Sequence, residues 1–360
     1  MKTPTVAIDA RLICRSSTGD TSYWRGLLRG LADVAADLRI LLYSNASKPA
    51  NAPETPDFEW IHLPASHDRL WSLVTFPRAA VRQGADVIHT QYNVSPLCGN
   101  LAVTTIHDVS FFIGPEWFGL KDRLLLRWQV PASVKRARQV ITVSETSKSE
   151  LERFIPASKG KVNVTYNALG DNIKPMPAEE ARRIVSDDLG VVGPYVLTVG
   201  TRWPRKNIRL AIEACAGLPE TVPHRLVVTG KAGWGDLADH QRTQFTGYVS
   251  DTQLTALYQC ADLYVAPSFH EGFGIPLLEA WACGCPVVCS SGGALPEIAA
   301  DAAEVVTSWI AADWTAVIAD VLADSSKLEQ LRQRGRSRLG EYSWDKTARS
   351  TIDVYRKVIG

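Results

Sequence analysis

Short runs dense in Val, Ile and Thr recur along this chain, separated by longer stretches of helical character, and they do so in two blocks. The first block holds TVAID (5–9), RILLYS (39–44), DVIHTQ (86–91), AVTTIHD (102–108), VITVSE (140–145) and KVNVTYN (161–167). Some of these are apolar at successive positions, so both faces need cover. That pattern belongs to strands of a parallel sheet lying between layers of helices. A polar segment rich in Gly and Pro, 168–194, breaks the alternation. It resumes with YVLTVGT (195–201), RLVVTG (225–230), DLYVAPS (262–268), PVVCSS (286–291) and AEVVTS (303–308). Helix-like IRLAIEACAGL (208–218) and DTQLTALYQCA (251–261) lie between them. The alternation predicts an α/β chain of two Rossmann-like units, residues 1–170 and 171–342, each with a parallel sheet. A final amphipathic helix, 343–360, offers Trp344, Ile352, Val354 and Tyr355 for burial and is expected to pack back on the first unit. Two facing units of this kind predict a ligand in the cleft between them, near the carboxyl ends of the strands.

Composition narrows the function. Net charge is +1 over 360 residues, so no global field points to nucleic acid. Nowhere do 18 apolar residues run together, and the short apolar run in MKTPTVAIDARL is not a signal peptide. Seven cysteines, an odd number, favour a reducing cytoplasm. Cys283, Cys285 and Cys289 are spaced C-x-C-x3-C, which is no usual zinc pattern, and are expected to pack as small hydrophobes.

The stretch FHEGFGIPLLEAWACGCPVV (269–288) carries the chemistry. Pro276 suits the first turn of a helix, and Gly272 and Gly274 let the backbone turn sharply before it. The N–H groups of Phe273, Gly274 and Ile275 would then face an anion, aided by the helix dipole. Glu271 precedes the helix and Glu279 lies about one turn inside it. A diphosphate on the helix start would be flanked by two carboxylates, which repel phosphate but accept hydrogen bonds from hydroxyls. Hydroxylated groups on both sides of a diphosphate describe a nucleotide sugar. Upstream, TRWPRKN follows a strand, and Arg205 and Lys206 there suit a diphosphate leaving group. No D-x-D occurs, so no metal is expected at the diphosphate.

PSFHEGFGIPLLEAWACGCPVV resembles the signature of retaining glycosyltransferase family 4, of the two-Rossmann GT-B fold. VGTRWPRKN (199–207), FTGYVSDTQL (245–254), IHDVSFF (106–112) and TVSETSKSEL (142–151) match it in order and spacing, over nearly the whole chain. Bacterial mannosyltransferases of O-antigen and exopolysaccharide assembly are the nearest in character. The resemblance implies transfer of a hexose from a nucleotide sugar to a glycan or lipid-linked hydroxyl with retention, and no cofactor. The donor expected is GDP-mannose, ahead of UDP-sugars. It implies that His107 contacts the reacting sugar, and that Arg205 and Lys206 hold the diphosphate. Tyr248 and Val249 would border the base. Gly19 would sit near the donor phosphates, although Asp20 and Thr21 stand where a second glycine is expected. Lys231 ends a strand and is placed to approach the nucleotide. Glu271 is assigned to the donor-sugar hydroxyls and Glu279 to the ribose.

Two other readings stay open, a nucleotide-sugar 2-epimerase of the same fold and a non-catalytic partner in a glycan assembly complex. The segment LKDRLLLRWQVPASVKRARQV (120–140) is basic and apolar together. An ordinary surface helix, its long side chains covering the core, is the preferred reading. Docking on anionic lipid at the inner face of the membrane is the alternative.

Overall fold

A computed structural model of the chain describes residues 3–14, 19–65, 67–233 and 241–360. The chain divides into two compact units, Met1–Gly170 with Ser343–Gly360, and Asp171–Tyr342.

Unit 1 is built on β1 (Thr5–Asp9), β2 (Arg39–Ser44), β3 (Glu59–His62), β4 (Val87–Gln91), β5 (Ala102–Thr105), β6 (Gln139–Thr142) and β7 (Val162–Val164). They pair in the order β3-β2-β1-β4-β5-β6-β7, every pair parallel. Unit 2 holds β8 (Tyr195–Val199), β9 (Arg225–Thr229), β10 (Thr243–Gly247), β11 (Leu263–Ala266), β12 (Val287–Ser290) and β13 (Glu304–Val306). Their order is β10-β9-β8-β11-β12-β13, again all parallel. In each sheet the winding reverses beside the first strand, at β1/β4 and at β8/β11. The loops leaving those strands diverge there and open a crevice at their carboxyl ends.

The central strands are buried along their length, which is why their sequences are apolar at consecutive positions. β3 and β10 are edge strands with mostly half-exposed residues and no apolar run, and the sequence pattern does not announce them. FTGYV is the end of β10 and the loop after it. AVTTIHD stops being strand at Thr105, leaving His107 just beyond the sheet.

The C-terminal helix, Trp344–Ile359, packs on the helix Gly19–Val34 within unit 1. Trp344 donates to the carbonyl of Leu169 at 2.8 Å. Tyr355 reaches into the sheet, where its hydroxyl bonds Nδ1 of buried His89 at 2.7 Å. Nε2 of the same ring bonds Thr105 Oγ1 at 2.8 Å, and the Tyr23 hydroxyl meets that oxygen at 3.1 Å. Burial, helped by the neighbouring His107, pushes the pKa of His89 down to about 3, so this ring is a neutral, fully bonded core residue.

The helix Leu120–Arg136 turns Val130, Ser133 and Val134 inward, while Leu124 and Trp128 are exposed. The helix thus lays one face on the core, with Leu126 packed against it, as the preferred reading of an ordinary surface helix has it, while Leu124 and Trp128 of the apolar run face outward. Cys285 and Cys289 are buried free thiols, Cys283 is half-buried, and no metal-binding cluster of side chains occurs among the described residues.

Close helix packing makes one position testable. A Cβ on Gly30 would lie 2.3 Å from the backbone oxygen of Trp344, which cannot move alone. Gly30→Ala is expected to cost about 1–3 kcal/mol in chemical denaturation despite its better helix propensity. Gly19→Ala, with nothing within 4 Å of the new carbon, should change stability by less than about 0.5 kcal/mol.

Candidate functional site

The loops leaving β8 and β11 meet at the switch point of unit 2. After β8 the chain makes a single 3-10 turn, Pro204–Lys206, which ends on Asn207 in the left-handed conformation. The β11 loop carries Ser268, His270 and Glu271. Phe269 N–H donates to the Arg205 carbonyl at 2.8 Å and ties the two loops together. The Arg205 guanidinium donates to Glu271 Oε2 at 2.8 Å and also to the carbonyl of His270. Lys206 Nζ and Ser268 Oγ donate to Glu271 Oε1 at 2.6 and 2.7 Å. Side-chain exposure is 15% for Arg205, 17% for Lys206 and 12% for Glu271, so these pairs are only weakly screened. Burial would raise the Glu271 pKa, but the charges of Arg205 and Lys206 outweigh it and hold this carboxyl well below the usual range. Two cations on one carboxylate leave the cluster with a net positive charge.

Past Glu271 the backbone turns into the helix Ile275–Ala282. Gly274 has φ 102°, a conformation that L side chains rarely adopt, so the backbone favours glycine there; a Cβ would also lie 2.8 Å from the end of the Leu295 side chain. Pro276 occupies the first turn, and the N-cap residue, Gly274, brings no side chain to cap it. The positive end of the helix dipole thus begins three residues after Glu271. Gly293 braces the loop from behind. It forms an isolated parallel bridge to Glu271, whose carbonyl also accepts from Ala294 N–H at 2.8 Å. Glu279, only 9% exposed, accepts a hydrogen bond from the Tyr258 hydroxyl at 3.0 Å. Burial raises its pKa to about 7, against the pull of the Tyr258 bond. Nearby, exposed Lys231 stacks its ammonium over the Tyr248 ring at 5.1 Å, and Arg202 lies over Phe245 at 5.1 Å. Val249 follows, half-buried, just ahead of a Ser250–Gln253 capping box.

In unit 1, His107 is mostly buried beside the ends of β4 and β5. The Gln91 side-chain amide contacts its Nε2, and Asp20 Oδ1 lies 3.5 Å from the same nitrogen. The Tyr23 and Tyr92 rings stand 4.8 and 5.9 Å away. Burial lowers the His107 pKa, although Asp20 and Asp108 pull the other way, so the imidazole is neutral at pH 7. Gln91 Oε1 is buried without a hydrogen bond. As placed, the amide N–H donates to a His107 Nε2 that carries no proton, the arrangement of a neutral ring protonated at Nδ1. Tyr92 takes φ 58°, a strained value for a bulky residue, next to this ring. Asp108 instead receives the N–H and hydroxyl of Ser110 at 2.8 and 2.5 Å.

Residues 18–170 match the family model Glycosyltransferase Family 4, and residues 191–338 match Glycosyl transferases group 1. O-antigen chain mannosyltransferase B from Escherichia coli is 36% identical over 268 residues, covering 71% of this chain and 70% of that protein. The chain belongs to glycosyltransferase family 4. Its fold is GT-B. Sucrose-phosphate synthase from Thermosynechococcus elongatus superposes with a TM-score of 0.74 at 21% identity, covering 99% of this chain and 98% of that one. HepE from Anabaena, in complex with UDP-glucose, gives 0.70 at 19%, covering 97% and 98%.

In this glycosyltransferase the residues singled out from sequence fall into separate groups. Arg205, Lys206 and Glu271 form one hydrogen-bonded cluster, with Gly272, Phe273, Gly274 and Ile275 leading on from it. Glu279 is bonded to Tyr258 rather than to that cluster. Phe273 is a packing residue, edge-on to Tyr342 with ring centres 5.5 Å apart. Gly19 opens the helix Gly19–Val34, and a side chain there would meet nothing. Asp20 and Thr21, where a second glycine of the expected turn would stand, already lie in that helix, and residues 15–18 are outside the described residues. Sequence reasoning missed Gln91, Tyr92, Tyr258 and Ser268. Ser268 and Gln91 stood inside quoted strand-end motifs, but nothing in those motifs names their partners.

The Glu279 carboxyl yields a pH signature. It ionises near 4.5 when unperturbed and near 7 in the fold. Between those values the folded state holds the extra proton, so stability falls as pH rises through this window. Glu279→Gln should therefore gain on the parent by on the order of 2 kcal/mol at pH 8 and not at pH 4.5. Melting curves at the two pH values check it, and an unchanged difference would contradict the raised titration.

Proposed function

We propose that this glycosyltransferase moves a hexose, mannose from GDP-mannose first, to a hydroxyl of a glycan or lipid-linked glycan with retention of configuration. The Arg205–Lys206–Glu271 cluster ahead of a glycine-capped helix start carries the reading. It is a net-positive, weakly screened site fitted to a diphosphate. The relative that is an O-antigen chain mannosyltransferase supports the choice of mannose. HepE, solved with UDP-glucose, makes a UDP-sugar the next donor to test.

In this reading the diphosphate takes over the Arg205 and Lys206 hydrogen bonds now spent on Glu271. The freed carboxylate turns its oxygens to the donor-sugar hydroxyls, and Glu279 receives the ribose. The backbone donors of the helix start add to the two cations. Neutral His107 donates or accepts at a sugar hydroxyl without placing a charge there. The bond from the anomeric carbon to the diphosphate breaks while the acceptor oxygen bonds the same face. The acceptor proton passes to a diphosphate oxygen, so the protein supplies no nucleophile. Catalysis is then positioning plus stabilisation of the leaving group, with no metal needed. The enzyme would work in the cytoplasm, where nucleotide sugars are made, and at the inner face of the membrane for a lipid-linked acceptor.

A thermal-shift panel of GDP, UDP, ADP and TDP with their sugar conjugates tests the donor. One nucleotide family should raise the melting temperature, and Lys206→Ala should abolish the rise. Arg205→Ala is expected to lower kcat by about 100-fold or more, with EDTA leaving the parent's rate unchanged. A product of inverted anomeric configuration by NMR, or turnover of the donor to an epimer without acceptor, would overturn the mechanism.

A further inference from the structure

The helix Leu120–Arg136 carries large apolar side chains on its outer face. Leu120 is 63% exposed, Leu124 58% and Trp128 71%. Spaced four apart, they stand one above another along the helix. The inner face is already occupied. Val130 and Val134 belong to the core, Leu126 packs against it, and Ser133 Oγ accepts from Val94 N–H at 3.0 Å. So the outer stripe is surplus to folding, and three such residues in a row on a soluble surface mark a contact.

Charge identifies the partner. Lys121 and Arg127 lie three residues to either side of Leu124, and Lys135 continues the stripe two turns beyond Trp128. Lys121, Arg127 and Lys135 are exposed, and none is in an ion pair among the described residues. Arg127 instead rests on the Phe112 ring at 4.9 Å. Ile113, from the neighbouring short helix Ser110–Ile113, adds another exposed apolar residue. Among the described residues no helix is long and apolar enough to cross a membrane.

We infer that this face docks in plane on an anionic lipid surface, with Leu120, Leu124 and Trp128 entering the headgroup layer and Lys121, Arg127 and Lys135 meeting lipid phosphates. An in-plane helix binds through such a combination of apolar burial and basic flanks. The inference uses no feature of the donor site and stands or falls apart from it.

Co-sedimentation of the full chain with vesicles tests it, comparing phosphatidylcholine alone with phosphatidylcholine plus phosphatidylglycerol. Binding should need the anionic lipid and weaken with salt. The double variant Leu124→Ser/Trp128→Ser should lose at least about tenfold in affinity, and Lys121→Gln and Lys135→Gln about fivefold each. All replaced side chains are exposed, so melting temperature and the nucleotide-induced shift should stay at parent values. Equal binding to both vesicle types, or full binding by the double variant, would overturn the inference. So would a parent that sediments as a dimer and a double variant that is monomeric, because the stripe would then be covered by a second copy.

Discussion

Glu271 holds Arg205 and Lys206 on a single carboxylate at the reversal point of the second sheet, and the local architecture of that unit follows from this contact. A largely buried carboxylate is costly unless it is paired and hydrogen-bonded. Here Arg205, Lys206 and Ser268 meet it, and the backbone of the same loop is pinned by Phe269 on one side and Ala294 on the other. Because the cations outnumber the carboxylate, the arrangement is stable alone yet still attractive to a dianion. A diphosphate would exchange one set of charge-assisted bonds for another rather than assemble a site from disordered side chains, which keeps the ordering cost of binding low.

Three other buried titratable groups, His89, His107 and Glu279, are neutral or close to it. His89 is held uncharged in the core by burial and the neighbouring His107, with its ring nitrogens hydrogen-bonded to Tyr355 and Thr105. His107 is neutral although Asp20 is 3.5 Å away. Glu279 is poised near neutrality. Buried charge in the second unit's site thus lies in the Arg205–Lys206–Glu271 cluster, while His107 and Glu279, proposed to meet hydroxyls, are neutral or readily neutralised. That division fits a ligand whose charge is confined to its diphosphate. The same economy is absent from the outer face of Leu120–Arg136, where unpaired cations flank exposed apolar side chains.

Much of the architecture was legible because it is local. A strand buried on both faces must be apolar at consecutive positions, so the central strands showed themselves, as did helices with clear caps or amphipathic periodicity such as 251–260 and 344–359. β3 and β10 did not, since an edge strand is half solvated and its sequence need not differ from a loop. The Gly–Pro geometry around Gly274 and Pro276 was also readable, because left-handed φ and a proline in the first helical turn are properties of single residues. The outward position of Leu124 and Trp128 was not readable, because apolar character does not reveal which face of a helix meets the core.

By itself, then, the sequence determined the α/β class, its two blocks of alternating strands and helices, and the presence of the basic and glycine-rich motifs at the strand ends. Tertiary structure alone decided who partners whom. Glu271 lies 66 residues from Arg205, Tyr355 lies 266 residues from His89, and Tyr258 reaches Glu279 across two helices. Backbone preference is written residue by residue, but burial, pairing and pKa depend on neighbours that only chain folding brings within a few ångströms.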